Sequence, residues 1–248
     1  MWCGRVLTVL GSGVAGGSQI REEAGWHYRV VGGVAEVYNE DADGNPIAAI
    51  DVNTVGAVTL PSSLGGYVVK RVGTCAFANC RGVTSVSTPT DQTITQFGDF
   101  VFTNCDSLVS VALGYGVRSL GYRPFVGTAL TSVELPDSLI YVEGNPAAGA
   151  FNVLSFTLAS EQSYFARTAD GALYDRDYTE LISCPARQEV LALPKTCTVI
   201  GSEACSSPPP PLPPQPPTQP MAASSAAPPA RVSSASPPPA TEASSSCA

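Results

Sequence analysis

The glycines of Gly11-Ser12-Gly13-Val14-Ala15-Gly16 spell GxGxxG after the strand-like Val6 to Leu10, and Glu36 follows 20 residues beyond Gly16. In a dinucleotide site such glycines let helix N-terminal amides hold a pyrophosphate, and such an acid holds a ribose hydroxyl. The flanking residues do not supply that site. The required helix would run through Gly16, Gly17 and Gly25 with only Val14 and Ile20 as larger apolar anchors, and no further βα units follow. The stretch reads instead as a Gly-rich leader, poorly ordered over residues 1–24, with a nucleotide-binding enzyme as the remote alternative. Its apolar run is shorter than the ~7–15-residue centre of a signal peptide.

Asn39, Asp41, Asp43 and Gly44 match the opening of an EF-hand calcium loop, but the twelfth position, where a bidentate Glu belongs, is Ile50. A turn between two strands accounts for them better. His27 is the sole histidine, so a histidine triad or a His-rich metal site has one candidate and no partner, and the outer face of a strand is its plainer place. None of the eight cysteines forms CxxC, which leaves a zinc knuckle or a thioredoxin motif unsupported. The sequence therefore points to no catalytic residue, no metal and no cofactor.

Charge and composition narrow the partners. The net charge is −8, Lys occurs only at Lys70 and Lys195, and Arg is scattered, so no basic face is available for nucleic acid. No apolar run approaches the ~18 residues of a membrane span. Of the 22 prolines, 14 follow Cys205, and residues 206–248 contain no aromatic side chain. This segment reads as a disordered Pro/Ser/Ala tail. Its PPPPLPPQPPTQP run, Pro208 to Pro220, carries overlapping PxxP spacings that an SH3- or WW-type groove could bind, which makes an intracellular scaffold the alternative function.

The elements that must position any site come from an internal repeat. GTCAFANCRGVTSVS (Gly73 to Ser87) returns as GDFVFTNCDSLVSVA (Gly98 to Ala112), 25 residues later. Weaker copies are YRPFVGTALTSVELP (Tyr122 to Pro136) and GNPAAGAFNVLSFTLA (Gly144 to Ala159). With the central apolar residue as a ruler, Val58, Val86, Val111, Val133, Phe156 and Leu191 are separated by 28, 25, 22, 23 and 35 residues. Periods in the low twenties belong to solenoids in which one short strand per coil stacks beside its neighbour. Leu108, Val111 and Leu113 then give an inward ridge that a single coil cannot bury. Phe77, Phe102 and Phe125 form a ladder on the opposite wall of the core.

The pattern AFxxCxxLxxVxLPxxLxxIG resembles the BspA-type leucine-rich repeat of surface antigens, over roughly Val58 to Cys205. The resemblance implies a mainly β, right-handed leucine-rich-repeat solenoid of five or six coils. PSSLGGYVVKRVGTCAFANC (Pro61 to Cys80) follows the pattern closely, whereas PDSLIYVEGNPAAGA (Pro136 to Ala150) has Ala147 where Phe is expected and implies a thinner core there. SYFARTADGALYDRDYTELISCPA (Ser163 to Ala186) is similar to a hairpin insert of these proteins. Alternation in Ala172 to Tyr174 and Glu180 to Ile182 about Asp175-Arg176-Asp177 independently supports a hairpin. Residues 25–57, with turns at Gly32-Gly33 and Asn39 to Asn45, read as a β-rich N-terminal cap; residues 58–205 are the solenoid. Cys80 and Cys105 share a repeat position, which brings them about one strand spacing apart and permits a disulfide. The family pattern favours two buried thiols, because a small residue belongs there, as Thr128 and Ala150 illustrate.

Function follows from the resemblance: a non-enzymatic binding or adhesion protein, secreted or at the cell surface, with a protein or glycan ligand. The outward residues of the strand face, Ser85, Ser87, Ser110, Ala112, Ser132 and Glu134, are the candidate binding set. At the far end, Val199 to Ala204 repeats Arg71 to Ala76, so Cys205 falls where the core Phe belongs. This predicts an interrupted coil, by truncation, splicing or a frame shift, with an exposed apolar end near Leu191, Leu193 and Ile200.

Overall fold

A computed structural model describes residues 19–161, 163–184 and 191–206, and every regular element among them is a strand. The leader's GxGxxG and the proline-rich tail lie outside the described residues. The chain opens with β1 (Arg21–Glu23), β2 (Trp26–Val31) and β3 (Val34–Val37), an antiparallel meander. Gly32 and Gly33 both take positive φ, as a two-residue hairpin turn requires. Next, β4 (Asn39–Glu40) and β5 (Pro46–Ile47) form the small hairpin expected around the Asn39 to Asn45 turn.

The solenoid proper has two parallel walls. β6 (Val55–Thr59) starts the first, and β7 (Ser63–Leu64) turns back into β8 (Tyr67–Val72), which joins β3 in parallel on the second. The chain then alternates between walls: β9 (Gly82–Ser87), β10 (Gln96–Phe97), β11 (Ser110–Ala112), β12 (Ser119–Leu120), β13 (Ser132–Leu135), β14 (Tyr141–Val142) and β15 (Ser155–Leu158). On the second wall β3, β8, β10, β12 and β14 hydrogen-bond in order. They align Val37, Val72, Phe97, Leu120 and Val142 inward.

The first wall aligns Val58, Val86 and Val111, then separately Val133 and Phe156. Its ladder breaks between β11 and β13. Between the walls runs the aromatic ladder, with ring centroids 5.3 Å apart for Phe77 and Phe102 and 5.9 Å for Phe102 and Phe125. All three phenylalanines are buried, as are Cys80 and Cys105, and together these side chains contribute to one continuous core. Burying a Phe or Leu side chain stabilises by roughly 1.5–3 kcal/mol, so the repeated ridge, more than any local preference, holds the coils together.

Each end of the ladder is finished differently. The cap lays Trp26 edge-on to Phe77 at 6.0 Å, which covers the first rung. Arg29 reinforces the cap from above: its Nε donates to Glu36 at 2.8 Å and its guanidinium lies 3.7 Å from the Tyr38 ring centroid. At the other end Ala147 and Ala148 are both buried, in the position where the thinner core is expected.

The insert is a three-stranded antiparallel meander of β16 (Phe165–Arg167), β17 (Leu173–Asp175) and β18 (Glu180–Ser183), so it holds one strand more than a hairpin. β19 (Val199–Ile200) pairs in parallel with β18, not with β15. This corrects the apolar ruler at its last mark. Leu191 is half-buried outside any strand and packs on a second small core of Ala172, Tyr174, Leu181, Cys184 and Ala204. The first wall accordingly ends at β15, its fifth strand, short of the ruler's sixth mark.

Candidate binding surface

Strand alternation sends every second residue of the first wall outward. The register then lines these residues up across coils. Ala57, Ser85 and Ser110 form one row, and Thr59, Ser87 and Ala112 the next. Beyond the break, Ser132 lies opposite Ser155 and Glu134 opposite Thr157. Ser85 and Ser87 are half-buried, whereas Ser110, Ala112, Ser132 and Glu134 are exposed. The Thr59 and Ser87 hydroxyls, 3.1 Å apart, share a hydrogen bond, so that corner of the face is tied.

The break between β11 and β13 opens a groove of about 420 Å³, lined by Val109, Ser110, Ser132, Glu134, Thr157 and Tyr115 among others. It gathers Ser110, Ala112, Ser132 and Glu134; Ser85 and Ser87 lie on the face beside it. Sequence reasoning passed over Val109 and Tyr115, which are 61% and 63% exposed and supply the apolar contact area that hydroxyls lack. A signal was present in Gly114-Tyr115-Gly116. A β-carbon on Gly116 would lie 2.3 Å from the Gln92 carbonyl oxygen, so the loop hugs the previous coil and sends the intervening tyrosine outward.

The groups with chemical potential are otherwise engaged. Burial pushes the Cys80 thiol up to about 11 and the Cys105 thiol up to about 12, so neither is a thiolate nucleophile at neutral pH. Both are free cysteines, and Cys105 Sγ donates to the Phe77 carbonyl at 3.1 Å. Glu36, the acid of the nucleotide fingerprint, is only 9% exposed and held by Arg29. Asp41 accepts from the backbone amides of Asn45 and Asp43, each at 2.9 Å. Those contacts to Asn45, foremost, hold its carboxyl below the usual range and make this loop a side-chain-capped turn. His27 lies on β2, its Nδ1 3.3 Å from the Ala49 carbonyl oxygen. Among the described residues no group of three or more His, Cys, Asp or Glu converges, and no helix is long and apolar enough to cross a membrane. The PxxP run, Pro208 to Pro220, lies outside the described residues.

One covalent feature was not anticipated: Cys184 and Cys205 form a disulfide. Cys205 does not fill the phenylalanine position of a further coil; it is exposed and ties that coil to the end of β18.

Residues 54–169 match the model of the BspA type leucine rich repeat region in six copies. No curated protein matches the sequence. Among solved structures, a leucine-rich repeat protein from Eubacterium ventriosum is similar with a TM-score of 0.50 and 14% identity, over 77% of this chain and 58% of that one. The pneumococcal vaccine antigen PcpA gives 0.47 and 15%, over 75% of this chain and 62% of that one. A leucine-rich repeat protein from Bacteroides capillosus gives 0.47 and 19%, over 57% of this chain and 99% of that one. The chain therefore spans under two thirds of the first two, and at 14% identity the likeness to the Eubacterium protein is one of fold alone.

Proposed function

Residues 54–169 are BspA-type leucine-rich repeats, and from that premise we propose that the chain is a non-enzymatic binding module that recognises a protein partner through its first wall. One observation carries the reading: the register-aligned rows of small polar side chains end in an open groove bordered by exposed Val109 and Tyr115. Rows of serine and threonine offer donors and acceptors at one strand spacing, roughly 4.8 Å, and add little steric relief. An exposed tyrosine beside them is the type of anchor that dominates interface energetics.

A cell-surface or secreted location fits this role. The family resemblance suggests it, and the Cys184–Cys205 disulfide supports it, since such bonds persist in oxidising surroundings.

A photo-crosslinking amino acid at Ser110 tests the reading, with one at Gln96, exposed on the second wall, as the control. Partner adducts are expected from position 110 and not from position 96. Ser110→Arg combined with Glu134→Arg should abolish them, and equal capture from both walls would refute the assignment.

A further inference from the structure

A second cavity, of about 640 Å³, lies where β15 runs out and the inserted meander begins, with Leu158 at the end of β15 in its lining. Arg167, at the end of β16, and Arg176, in the turn after β17, both line it. Neither guanidinium makes an ion pair among the described residues, although the chain as a whole carries eight excess negative charges. Glu161 is the one carboxylate among the lining residues, with Asp170 just behind them at the Thr168 hydroxyl. The nearby Asp175 carboxylate is committed to the amides of Thr179 and Glu180, at 2.6 and 2.8 Å. An anionic group on a ligand would give the two guanidiniums the partner that no ion pair among the described residues supplies.

The hydroxyls in the lining narrow the ligand further. Tyr178 donates its proton to the Arg167 carbonyl oxygen at 3.2 Å. Thr168 directs its single proton to the Asp170 carboxylate. With their protons engaged inside the protein, both hydroxyls face a ligand as acceptors, while the guanidiniums are donors only. An occupant must therefore bring an anionic oxygen group for the arginines and hydroxyl donors for Thr168 and Tyr178. Leu158, Phe165 and Ala166 add some apolar surface to a mainly polar lining, which suits the C–H face of a ring.

We infer that this cavity binds an acidic saccharide, its carboxylate or sulfate held by Arg167 and Arg176 and its hydroxyl groups donated to Thr168 and Tyr178. Inorganic sulfate meets only half of this requirement, since it brings no donors. A neutral sugar meets the other half. The cavity shares no lining residue with the groove, although both reach the end of β15, and its test reads saccharide binding rather than partner capture, so the two proposals can fail separately.

Calorimetric titration of the full chain provides the test, with trigalacturonate and a sulfated disaccharide as carboxylate and sulfate arms. Maltotriose, sodium sulfate and tetraglutamate serve as the neutral, donor-free and peptide comparisons. One or both acidic saccharides should bind at a single site at least about tenfold more tightly than any comparison, and Arg167→Gln with Arg176→Gln should remove about that advantage. Both arginines are exposed, so the double variant should keep the parent melting temperature. Which arm binds better assigns the anion. The inference is wrong if neither saccharide binds, if maltotriose, sulfate or tetraglutamate binds as tightly, or if the double variant retains the parent affinity.

Discussion

Asn79 and Asn104 occupy the same place in successive coils with left-handed backbones, φ 63° and 58°. Gly127 and Gly149 take the equivalent place in the next two turns with φ 67° and 76°. A sharp corner is needed there before the chain enters the first wall, and asparagine is among the non-glycine residues best suited to it. The two asparagines also bond, Asn104 Nδ2 donating to Asn79 Oδ1 at 3.0 Å. Asn104→Ala removes that bond and places an alanine in a left-handed conformation, which should cost about 2 kcal/mol. For a domain of this size the melting temperature should fall by about 5 °C. Asn104→Gly loses the bond but tolerates the backbone, so it should fall by distinctly less. Circular dichroism melts compare the three proteins, and an alanine variant as stable as the parent would contradict the strain argument.

Between coils the spacing is set by close backbone contact as much as by side-chain packing. A β-carbon on Gly121 would lie 2.5 Å from the Gly98 carbonyl carbon and 2.7 Å from the Asp99 amide nitrogen, both fixed backbone atoms. Gly121→Ala must therefore pry the second and third coils apart, at a cost of about 1–3 kcal/mol. Urea denaturation should show a lower midpoint, with a smaller slope if the solenoid then melts in two parts; an unchanged midpoint would mean that the coils have room to spare. The periodicity of such elements was readable in the sequence because every coil must put the same residue types at the same corner and on the same inward row. Phe77, Phe102 and Phe125 announce themselves in this way, and strand alternation points Ser110, Ser132 and Glu134 outward. The groove was not readable, since the ladder break between β11 and β13 depends on how two distant strands approach. Leu191 misled for a related reason: it has the right type and lies near the right distance, but the inserted meander recruits it into a core of its own.

At the scale of the whole molecule, the question is what keeps the coil at residues 201–206 in place after the insert. Glu203 reaches back to the third turn, accepting from Arg123 Nη2 at 2.5 Å, Arg123 Nε at 3.0 Å and the Tyr122 hydroxyl at 2.8 Å. Buried Asn145 donates to the carbonyls of Glu203 and Ala204 at 2.8 and 3.2 Å, and Cys205 is bonded to Cys184. Leu193 and Ile200 remain 47% and 62% exposed, so apolar burial here is confined to the small core around Tyr174, Leu181 and Ala204. Beside that small core the clamp is polar and covalent, and it should respond to acid and to reductant where the aromatic ladder does not. The Arg123 and Tyr122 hydrogen bonds lower the Glu203 pKa in the folded state. Its contribution is therefore complete above the unfolded value of about 4.3 and is lost as pH falls through the lower folded value. A disulfide across a loop of this length is worth about 3 kcal/mol. Reduction, or Cys205→Ser, should speed amide exchange in residues 199–204 and in the meander, and acidification below pH ~4 should add to the effect. Exchange across residues 67–112, which do not touch the clamp, should stay at the parent rate, because coils in a solenoid feel chiefly their immediate neighbours. Loosening that spread evenly into the Phe77 to Phe125 ladder would instead make the molecule a single cooperative unit, with the disulfide holding all of it.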